Sequence, residues 1–151
     1  MARRYAITGN EGAVSTSLQA ALDLEGTAVV RPMVYDFMVG QDGTPPADNA
    51  ILWTIERFTV TPTDTAVVPV AMEPGDVAAT AVAGEDGGTT GTITTATEFL
   101  ELPINQRASY RWVAAPGGEI ICPAIVANGV TARVSSPAYT GTAKASIHYS
   151  E

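Results

Sequence analysis

The chain has 151 residues, of which 46% are hydrophobic and only 16% are charged, and its formal net charge is −8. This length predicts a single domain with its own core, and the acidic balance excludes a free-standing nucleic-acid binder and disfavours an anionic membrane as partner. Charged residues are scarcer than in an ordinary soluble domain, which predicts that sister subunits cover much of the surface. The alternative is that the surface is not covered and that its Thr, Ser and Gly residues interact with water in place of charged side chains.

Cys122 is the only cysteine, so an internal disulfide cannot form. It lies between Ile121 and Pro123 with no histidine or basic cluster nearby, which predicts a small buried side chain rather than a reactive thiol. A lone cysteine fits a reducing cytoplasm. No apolar run approaches the roughly 20 residues of a membrane span, and the first ten residues lack the apolar segment of a signal peptide.

Two segments carry helix signals. Residues 15–25 have leucines and alanines at helical spacing, with Ser15 or Ser17 as a suitable capping residue. The same side chains also alternate strictly, so a short helix and a strand remain alternatives. Residues 74–83 begin with Pro74 and Asp76, which suit the first turn of a helix, and continue with alanines. One or two helical turns are expected there.

Strand signals dominate the rest of the chain. The β-rich runs cover residues 28–39, 50–60, 65–72, 93–102, 110–115, 119–122, 124–134 and 144–150. Glycine and proline separate them: Pro116–Gly118 and Asn128-Gly129 predict tight hairpin turns, residues 40–49 predict a loop through Asp42-Gly43 and Pro45-Pro46, and Pro69 suggests a sheet edge. About eight strands without an internal repeat predict a single-domain, all-β protein, and the length matches a jelly-roll β-sandwich.

The run from residue 50 to residue 60 changes phase. Ile51, Trp53 and Ile55 share one face, whereas Phe58 and Val60 take the other, which predicts a bulge or burial on both faces. We expect the core to contain Trp53, Ile55, Phe58, Val60, Phe99, Trp112, Ile121, Ile125 and Ile147.

Reactive side chains are few. His148 is the only histidine, which excludes a histidine-rich metal site and leaves one candidate base, three residues from the C-terminus, for a Ser-His-Asp triad. Glu56, Glu98, Glu101 and Glu119 are the carboxylates that a glycoside hydrolase would need, but we expect them to be solvated. The acidic, glycine-rich residues 84–91 are expected to form a mobile surface loop rather than a calcium loop. No catalytic, cofactor-binding or metal-binding residue is predicted.

Arg107 and Arg111 lie four residues apart, on one face if the strand is regular. One interpretation is that each makes a salt bridge with a neighbouring carboxylate. The other is that they anchor a subunit interface, because arginine beside Tyr110 and Trp112 is the mixture that is enriched at interface hot spots.

Several segments in combination resemble the head proteins of tailed bacteriophages that act as capsid cement or decoration proteins. They are Arg4-Tyr5, residues 37–41 (FMVGQ), 48–59 (DNAILWTIERFT), 67–81 (VVPVAMEPGDVAATA), 111–124 (RWVAAPGGEIICPA) and 136–151 (SPAYTGTAKASIHYSE). The resemblance implies a non-enzymatic jelly-roll subunit that forms homotrimers and clamps neighbouring major capsid proteins on the outer surface of the virion. It implies assembly in the host cytoplasm and supplies no cofactor and no catalytic residue.

On this basis residues 1–12 are expected to form an extended N-terminal arm that contacts a partner, and residues 13–151 the sandwich domain. Partner binding is assigned to Arg3, Arg4, Tyr5, Arg107 and Arg111. The alternative function is a carbohydrate- or host-surface-binding module of a phage tail or fibre, with Tyr35, Tyr110, Trp112 or Tyr139 lining a groove. A metal-free hydrolase that uses carboxylates is the weakest hypothesis.

Overall fold

The computed structural model describes residues 2–12, 14–42, 48–89, 91–93, 98–139 and 141–151. These residues contain thirteen strands and no helix, which confirms the all-β class. The strands are β1 (Arg4–Glu11), β2 (Gln19–Glu25), β3 (Met33–Asp42), β4 (Ala50–Val60), β5 (Thr63–Val67), β6 (Val70–Ala71), β7 (Val82–Thr89), β8 (Thr92–Ile93), β9 (Leu100–Asn105), β10 (Tyr110–Val113), β11 (Ile120–Ile121), β12 (Gly129–Ser135) and β13 (Thr142–Ser150).

Two antiparallel sheets pack against each other as a β-sandwich. The first has the order β10-β3-β13-β1-β6, with β11 also paired to β3, and the second has the order β5-β7-β2-β12-β4-β8, with β9 also paired to β4. Four of the strand pairs are nested: β1 pairs with β13 and β2 with β12, then β3 with β10 and β4 with β9. Successive nested pairs alternate between the sheets, so the chain wraps around a common core.

The core lies between the sheets and is built from the inward side chains of alternating strands. Among the predicted core residues, Trp53, Ile55, Phe58 and Ile147 are buried, and Trp112 is partly buried against the core. The phase change in β4 is confirmed as burial on both faces, since residues 53–56 are all buried.

Four core predictions are wrong, since Val60, Phe99, Ile121 and Ile125 are all more than a third exposed. Val60 follows a register shift at the end of β4, and Ile121 belongs to a two-residue strand. Phe99 precedes β9 and Ile125 lies between β11 and β12. Residues with a high strand propensity therefore continue past the parts of the chain that are paired in a sheet and covered by the core.

Neither expected helix forms. In residues 15–25 the alternation prevails, because β2 is hydrogen-bonded on both sides, to β7 and to β12. In residues 74–83 the chain turns at Gly75, where φ is +94°, and its backbone groups find partners outside a helix. The Tyr5 hydroxyl donates to the Val77 carbonyl at 2.9 Å, and the Glu151 carboxylate accepts hydrogen bonds from two amides of this segment.

The expected N-terminal arm is a strand of the first sheet. β1 lies between β13 and β6, because Tyr5 and Ile7 alternate with exposed or half-buried residues and insert into the core. The predicted boundary after residue 12 therefore does not separate an arm from the sandwich, and residue 13 lies outside the described residues.

The two predicted hairpin turns are also wrong. The chain does turn at Gly117 (φ +81°), but β10 and β11 both pair antiparallel with β3, so they run in the same direction instead of pairing with each other. Asn128 lies in a loop, and β12 begins at Gly129. Residues 43–47 of the loop predicted at residues 40–49, and residues 94–97 of the run at residues 93–102, lie outside the described residues.

Cys122 is fully buried, as predicted. Its Sγ lies 3.7 Å from the carbonyl oxygen of Leu24, and burial raises the pKa of the thiol to about 12. The thiol is therefore protonated at neutral pH and unreactive. Among the described residues, no helix is long and apolar enough to cross a lipid bilayer.

Candidate functional site

A β-bulge in β3 places two polar side chains on the outer face of the first sheet. Asp36 pairs with His148 and Val34 pairs with Tyr149, so Tyr35 is the extra residue. Val34 and Phe37 are both in the core, whereas Tyr35 and Asp36 between them lie on the outer side. Re-aiming a side chain in this way is a common role of bulges.

Asp36 is the centre of a charged cluster. Its carboxylate accepts two hydrogen bonds from Arg111, from Nε at 2.9 Å and from Nη2 at 2.6 Å, and lies 3.1 Å from Nδ1 of His148. The hydrogen bonds from Arg111 hold the pKa of Asp36 below its usual value, against the effect of burial. The carboxylate is 4% exposed and the Arg111 side chain 60% exposed, so the cluster presents the guanidinium to solvent.

A cavity of about 340 Å³ opens further along the same face. It is lined by Ala2, Arg4, Met33, Tyr35, Glu119 and Ser150. The ring of Tyr35 links it to the Asp36 cluster, since the ring centroids of Tyr35 and His148 are 6.3 Å apart. The cavity combines an aromatic ring, a guanidinium, a carboxylate and a hydroxyl, which are groups able to bind a polar ligand.

The structure separates the three predicted partner-binding residues of the N-terminus. Arg3 is exposed, and its backbone pairs with that of Glu151. Arg4 is exposed and lines the cavity. Tyr5 is fully buried and stacks on Tyr149 with ring centroids 5.5 Å apart, so its assignment to partner binding is wrong. Its position on the inward face of β1 explains the burial.

The two predicted arginines of the C-terminal half lie in different places. Arg107 is in the turn after β9 and pairs with Asp48 at 2.8 Å, with both side chains more than half exposed. Arg111 lies on β10 in the Asp36 cluster. Both arginines therefore form a salt bridge with a carboxylate of the same chain, as the first interpretation predicted. Arg111 and Arg4 lie on the same face of the first sheet, whereas Arg107 does not.

A second ion pair lies on the outer face of the second sheet. Nη1 of Arg133 on β12 is 2.8 Å from Oε2 of Glu56 on β4, and the side chains are 14% and 3% exposed. Nη2 of Arg133 donates to the Leu18 carbonyl at 3.2 Å. Glu56 is thus a buried structural carboxylate, and the expectation that it is solvated is wrong.

Asp23 and Asp64 form a carboxyl pair on the same face. Asp23 is 2% exposed, and burial first, then its hydrogen bond with Asp64, raise the pKa of Asp23 to about 9. At neutral pH Asp23 is therefore protonated. Gly84 on the neighbouring strand β7 leaves room for the Asp64 carboxylate, which would collide with any Cβ at this position.

The acidic glycine-rich segment is a strand rather than the expected mobile loop. Residues 82–89 form β7, paired to β2 and β5. The glycines allow close packing: a Cβ at Gly84 would meet Asp64, and a Cβ at Gly87 would meet Ala20.

We expect Asp36→Asn to lower the free energy of unfolding by about 1–3 kcal/mol, because Arg111 and His148 would lose charge-assisted hydrogen bonds. Urea denaturation at pH 7 measures this loss. The pKa of Asp36 is lower in the folded protein than in the unfolded chain. The Asp36 carboxylate therefore contributes to stability above pH 4, and this contribution disappears as the pH falls through the pKa of Asp36 in the folded protein. A variant as stable as wild type at pH 7 would contradict a structural role for the cluster.

Aliphatic side chains are exposed on two surfaces. The first, called the loop surface, joins residues 26–31 and 121–128, which are tied by the hydrogen bond from the Gly26 amide to the Asn128 carbonyl. Nη1 of Arg57 on β4 donates to the Ile121 carbonyl at 2.9 Å. The loop surface consists of Val29, Ile121, Ile125 and Val126 with Arg31, and Arg57 on β4 lies beside it.

The second, called the segment surface, belongs to the chain that leads from β5 to β7. It consists of Val68, Val70, Met72 and Val77 with Glu73 and Asp76. Val29 on the loop surface is 81% exposed and Val68 on the segment surface is 82% exposed. Several exposed aliphatic side chains on one loop cluster or one segment are unusual for a soluble monomer.

The described residues hold no group of three or more His, Cys, Asp or Glu side chains able to bind a metal ion. Sequence patterns did not reveal the Asp36 cluster, because its members lie up to 112 residues apart. The only available signals were an outward His148 on an alternating strand and an aspartate between apolar residues.

Comparison with protein-family models, with curated proteins and with solved structures found no match for this chain.

Proposed function

We propose that this chain is a structural virion protein: a capsid cement or decoration protein of a tailed bacteriophage that self-associates, as a homotrimer, and binds neighbouring major capsid proteins on the outer shell. The observation that carries the proposal is the exposure of aliphatic side chains on the loop surface and the segment surface. Apolar surface of this kind is favourable to bury against another protein.

The strand order supports the finer fold assignment within this proposal. The nested pairs β1–β13, β2–β12, β3–β10 and β4–β9 alternate between two sheets, and we infer from them an eight-stranded jelly roll with the short strands β5, β6, β8 and β11 and the strand β7 added. Jelly rolls occur in viral shell proteins, so this topology is compatible with the proposed role.

A passive shell protein has simple physical requirements. It needs a rigid domain, which the two-sheet core provides, and several weak contacts that act together. A closed ring of copies multiplies each contact with the shell, so that the avidity exceeds the affinity of one site without any new bond. The acidic net charge of −8 suits the outer face of a shell, away from packaged DNA.

Electron cryo-microscopy of virions made with and without this gene tests the proposal. We expect density for the sandwich on the outside of the head in wild-type virions, its loss in the deletion, and heads that break at lower temperature without it. Density located in the tail or baseplate, or heads unchanged by the deletion, would refute the assignment to the capsid.

The alternative function is a carbohydrate- or host-surface-binding module of a phage tail or fibre, and the cavity beside Tyr35 favours it. Only Tyr35 among the four aromatic residues predicted to line a groove contributes to this cavity, next to Arg4 and Glu119. A glycan array distinguishes the functions: binding that is lost in Tyr35→Ala supports the alternative, whereas an array without hits removes it.

A further inference from the structure

We propose that the cavity beside Tyr35 binds an acidic sugar, meaning a sugar ring that carries a carboxylate or a sulfate group. This inference deepens the alternative function, carbohydrate binding, on which it rests, and it does not depend on the assignment to the capsid. Three observations carry it: an aromatic ring placed at the cavity by a bulge, a guanidinium in the cavity wall that pairs with no described residue, and hydrogen-bonding groups on the other walls.

The aromatic ring of Tyr35 is held at the cavity from both ends. Tyr35 is the extra residue of the bulge in β3, so its side chain lies on the outer face although Val34 before it is in the core. At the tip of the ring, the hydroxyl donates a hydrogen bond to Sδ of Met72 at 3.1 Å. A ring fixed in this way offers a flat apolar surface, on which the C–H groups of a sugar can pack with little further loss of side-chain freedom.

Arg4 supplies a positive charge in the wall of the cavity. It lies on β1 directly opposite Ser150 of β13, and both residues line the cavity. Among the described residues no ion pair or hydrogen bond is found for the Arg4 side chain, in contrast to three other arginines of the chain, which each bind a carboxylate. An exposed guanidinium of this kind is able to form paired hydrogen bonds with the carboxylate or sulfate of a ligand.

The polar groups of the cavity favour one orientation of such a ligand. Glu119 lines the cavity as well, and no ion pair joins it to Arg4 within the described part of the chain. The Glu119 carboxylate accepts a hydrogen bond from the Gly117 amide at 3.3 Å, and it can accept others from sugar hydroxyl groups, as can the hydroxyl of Ser150. The acid group of the ligand is therefore expected at Arg4, and its hydroxyl groups towards Glu119.

The other carboxylates of this region do not neutralise Arg4. The carboxylate of Asp36 is bonded to Arg111 and is 4% exposed. The carboxylate of Glu151 accepts hydrogen bonds from two amides of the segment between β6 and β7. Glu73 is exposed on the segment surface, where water screens its charge. An acidic ligand can therefore pair with Arg4 without displacing a contact that holds the fold.

The size of the cavity limits the ligand. Its volume of about 340 Å³ lies at the lower end of the range of roughly 300–1,000 Å³ that small-molecule sites cover. We therefore expect it to hold about one or two sugar rings of a glycan, with the remainder of the glycan in solvent.

A glycan array printed with matched pairs tests this inference: glucuronides with glucosides, galacturonides with galactosides, and sulfated with unsulfated galactosides. We expect the purified full chain to bind the acidic member of at least one pair, and to bind its neutral counterpart about 10-fold more weakly or less, because only the acidic sugar pairs with Arg4. Isothermal titration calorimetry with the two members of that pair measures both dissociation constants. The carboxylated and sulfated pairs show which acid group the cavity accepts.

Arg4→Gln removes the charge from the cavity wall and keeps a polar side chain. We expect it to weaken binding of the acidic sugar about 10-fold or more and to leave binding of the neutral counterpart unchanged. Lys144→Gln is the matched control, because it removes one positive charge from the same sheet face at the other end of the β1–β13 pair, opposite Asn10. It is expected to bind like wild type.

Two substitutions of Tyr35 test the contribution of the ring. Tyr35→Leu removes the aromatic surface and should weaken binding of the acidic and the neutral sugar alike, whereas Tyr35→Phe keeps the ring and should bind within about threefold of wild type. Circular dichroism and the midpoint of urea unfolding verify that each variant is folded.

Three results would overturn the inference and leave carbohydrate binding itself in place: equal binding of acidic and neutral sugars, an Arg4→Gln variant that binds the acidic sugar as tightly as wild type, or a Lys144→Gln variant that is weakened as much as Arg4→Gln. The last result would mean attraction to the whole sheet face rather than to a site at Arg4. An array on which no sugar binds would remove the inference together with the alternative function. The location on the capsid is measured separately by microscopy of virions, so it can stand or fail by itself.

Discussion

Glu56→Ala is expected to lower the free energy of unfolding by about 3–5 kcal/mol. The substitution removes the carboxylate that lies 2.8 Å from Nη1 of Arg133, and leaves the guanidinium, whose side chain is only 14% exposed, without a counter-charge. Nε of Arg133 already has no hydrogen-bond partner among the described residues, so the remaining bond to the Leu18 carbonyl cannot compensate. Urea denaturation of wild type and variant at pH 7 measures the difference.

Two controls separate the buried charge from the loss of packing. In Glu56→Met/Arg133→Met both charges are replaced by apolar groups of similar size, and we expect a stability close to that of wild type or higher. Asp48→Ala breaks the exposed pair with Arg107, whose side chains are 53% and 77% exposed, and should cost less than about 1 kcal/mol. A loss in Glu56→Ala as small as that in Asp48→Ala would mean that solvent reaches the guanidinium of Arg133.

The all-β class and part of the core were predictable from the sequence because they depend on local patterns. Alternation in β13 identified Ile147 as buried, and the phase change in β4 predicted a bulge or burial on both faces, of which burial on both faces is observed at residues 53–56. The helix expected over residues 74–83 failed for a non-local reason. Its backbone hydrogen bonds go to Tyr5 and Glu151, about 70 residues away in each direction, and no local propensity encodes these partners.

The polar clusters could not be predicted for a similar reason. Asp36, Arg111 and His148 meet because β3, β10 and β13 are neighbours in the first sheet, which depends on the order in which the chain wraps. Glu56 appeared solvated because an alternating strand predicts one wet face, whereas both faces of the central strands β2, β4 and β12 of the second sheet are largely buried. The sequence identifies which side chains share a face but not whether another segment covers that face.

A second large effect is expected from pH. The pKa of Asp23 is raised from 3.8 to about 9 in the folded protein, so the folded state holds a proton that the unfolded state releases above pH 4. The contribution of Asp23 to stability is therefore greatest below pH 4, and it declines as the pH rises towards 9, above which both states are ionised. One bound proton changes the free energy of unfolding by about 1.4 kcal/mol per pH unit, which gives at most about 4 kcal/mol between pH 5 and pH 8.

Asp23→Asn isolates this effect, because the amide can still donate a hydrogen bond to the Asp64 carboxylate but cannot ionise. We expect urea midpoints at pH 5, 6, 7 and 8 to fall with pH in wild type and to stay nearly constant in the variant, which becomes the more stable protein at pH 8. Asp86→Asn, at an exposed position of β7, is the matched control and should follow the wild-type profile.

Burial of Asp23, and after it the neighbouring carboxyl groups, determine the direction of this prediction. Asp64 on β5 and Glu25 on β2 both raise its pKa, and the guanidinium of Arg133 on the same sheet face is already bound to Glu56. No described basic side chain therefore neutralises the pair, so ionising Asp23 places two carboxylates side by side in a buried position. Parallel pH profiles for wild type and Asp23→Asn would show that Asp23 is ionised in the folded protein, and Asp64 would then need a cation or solvent beside it to remain in place.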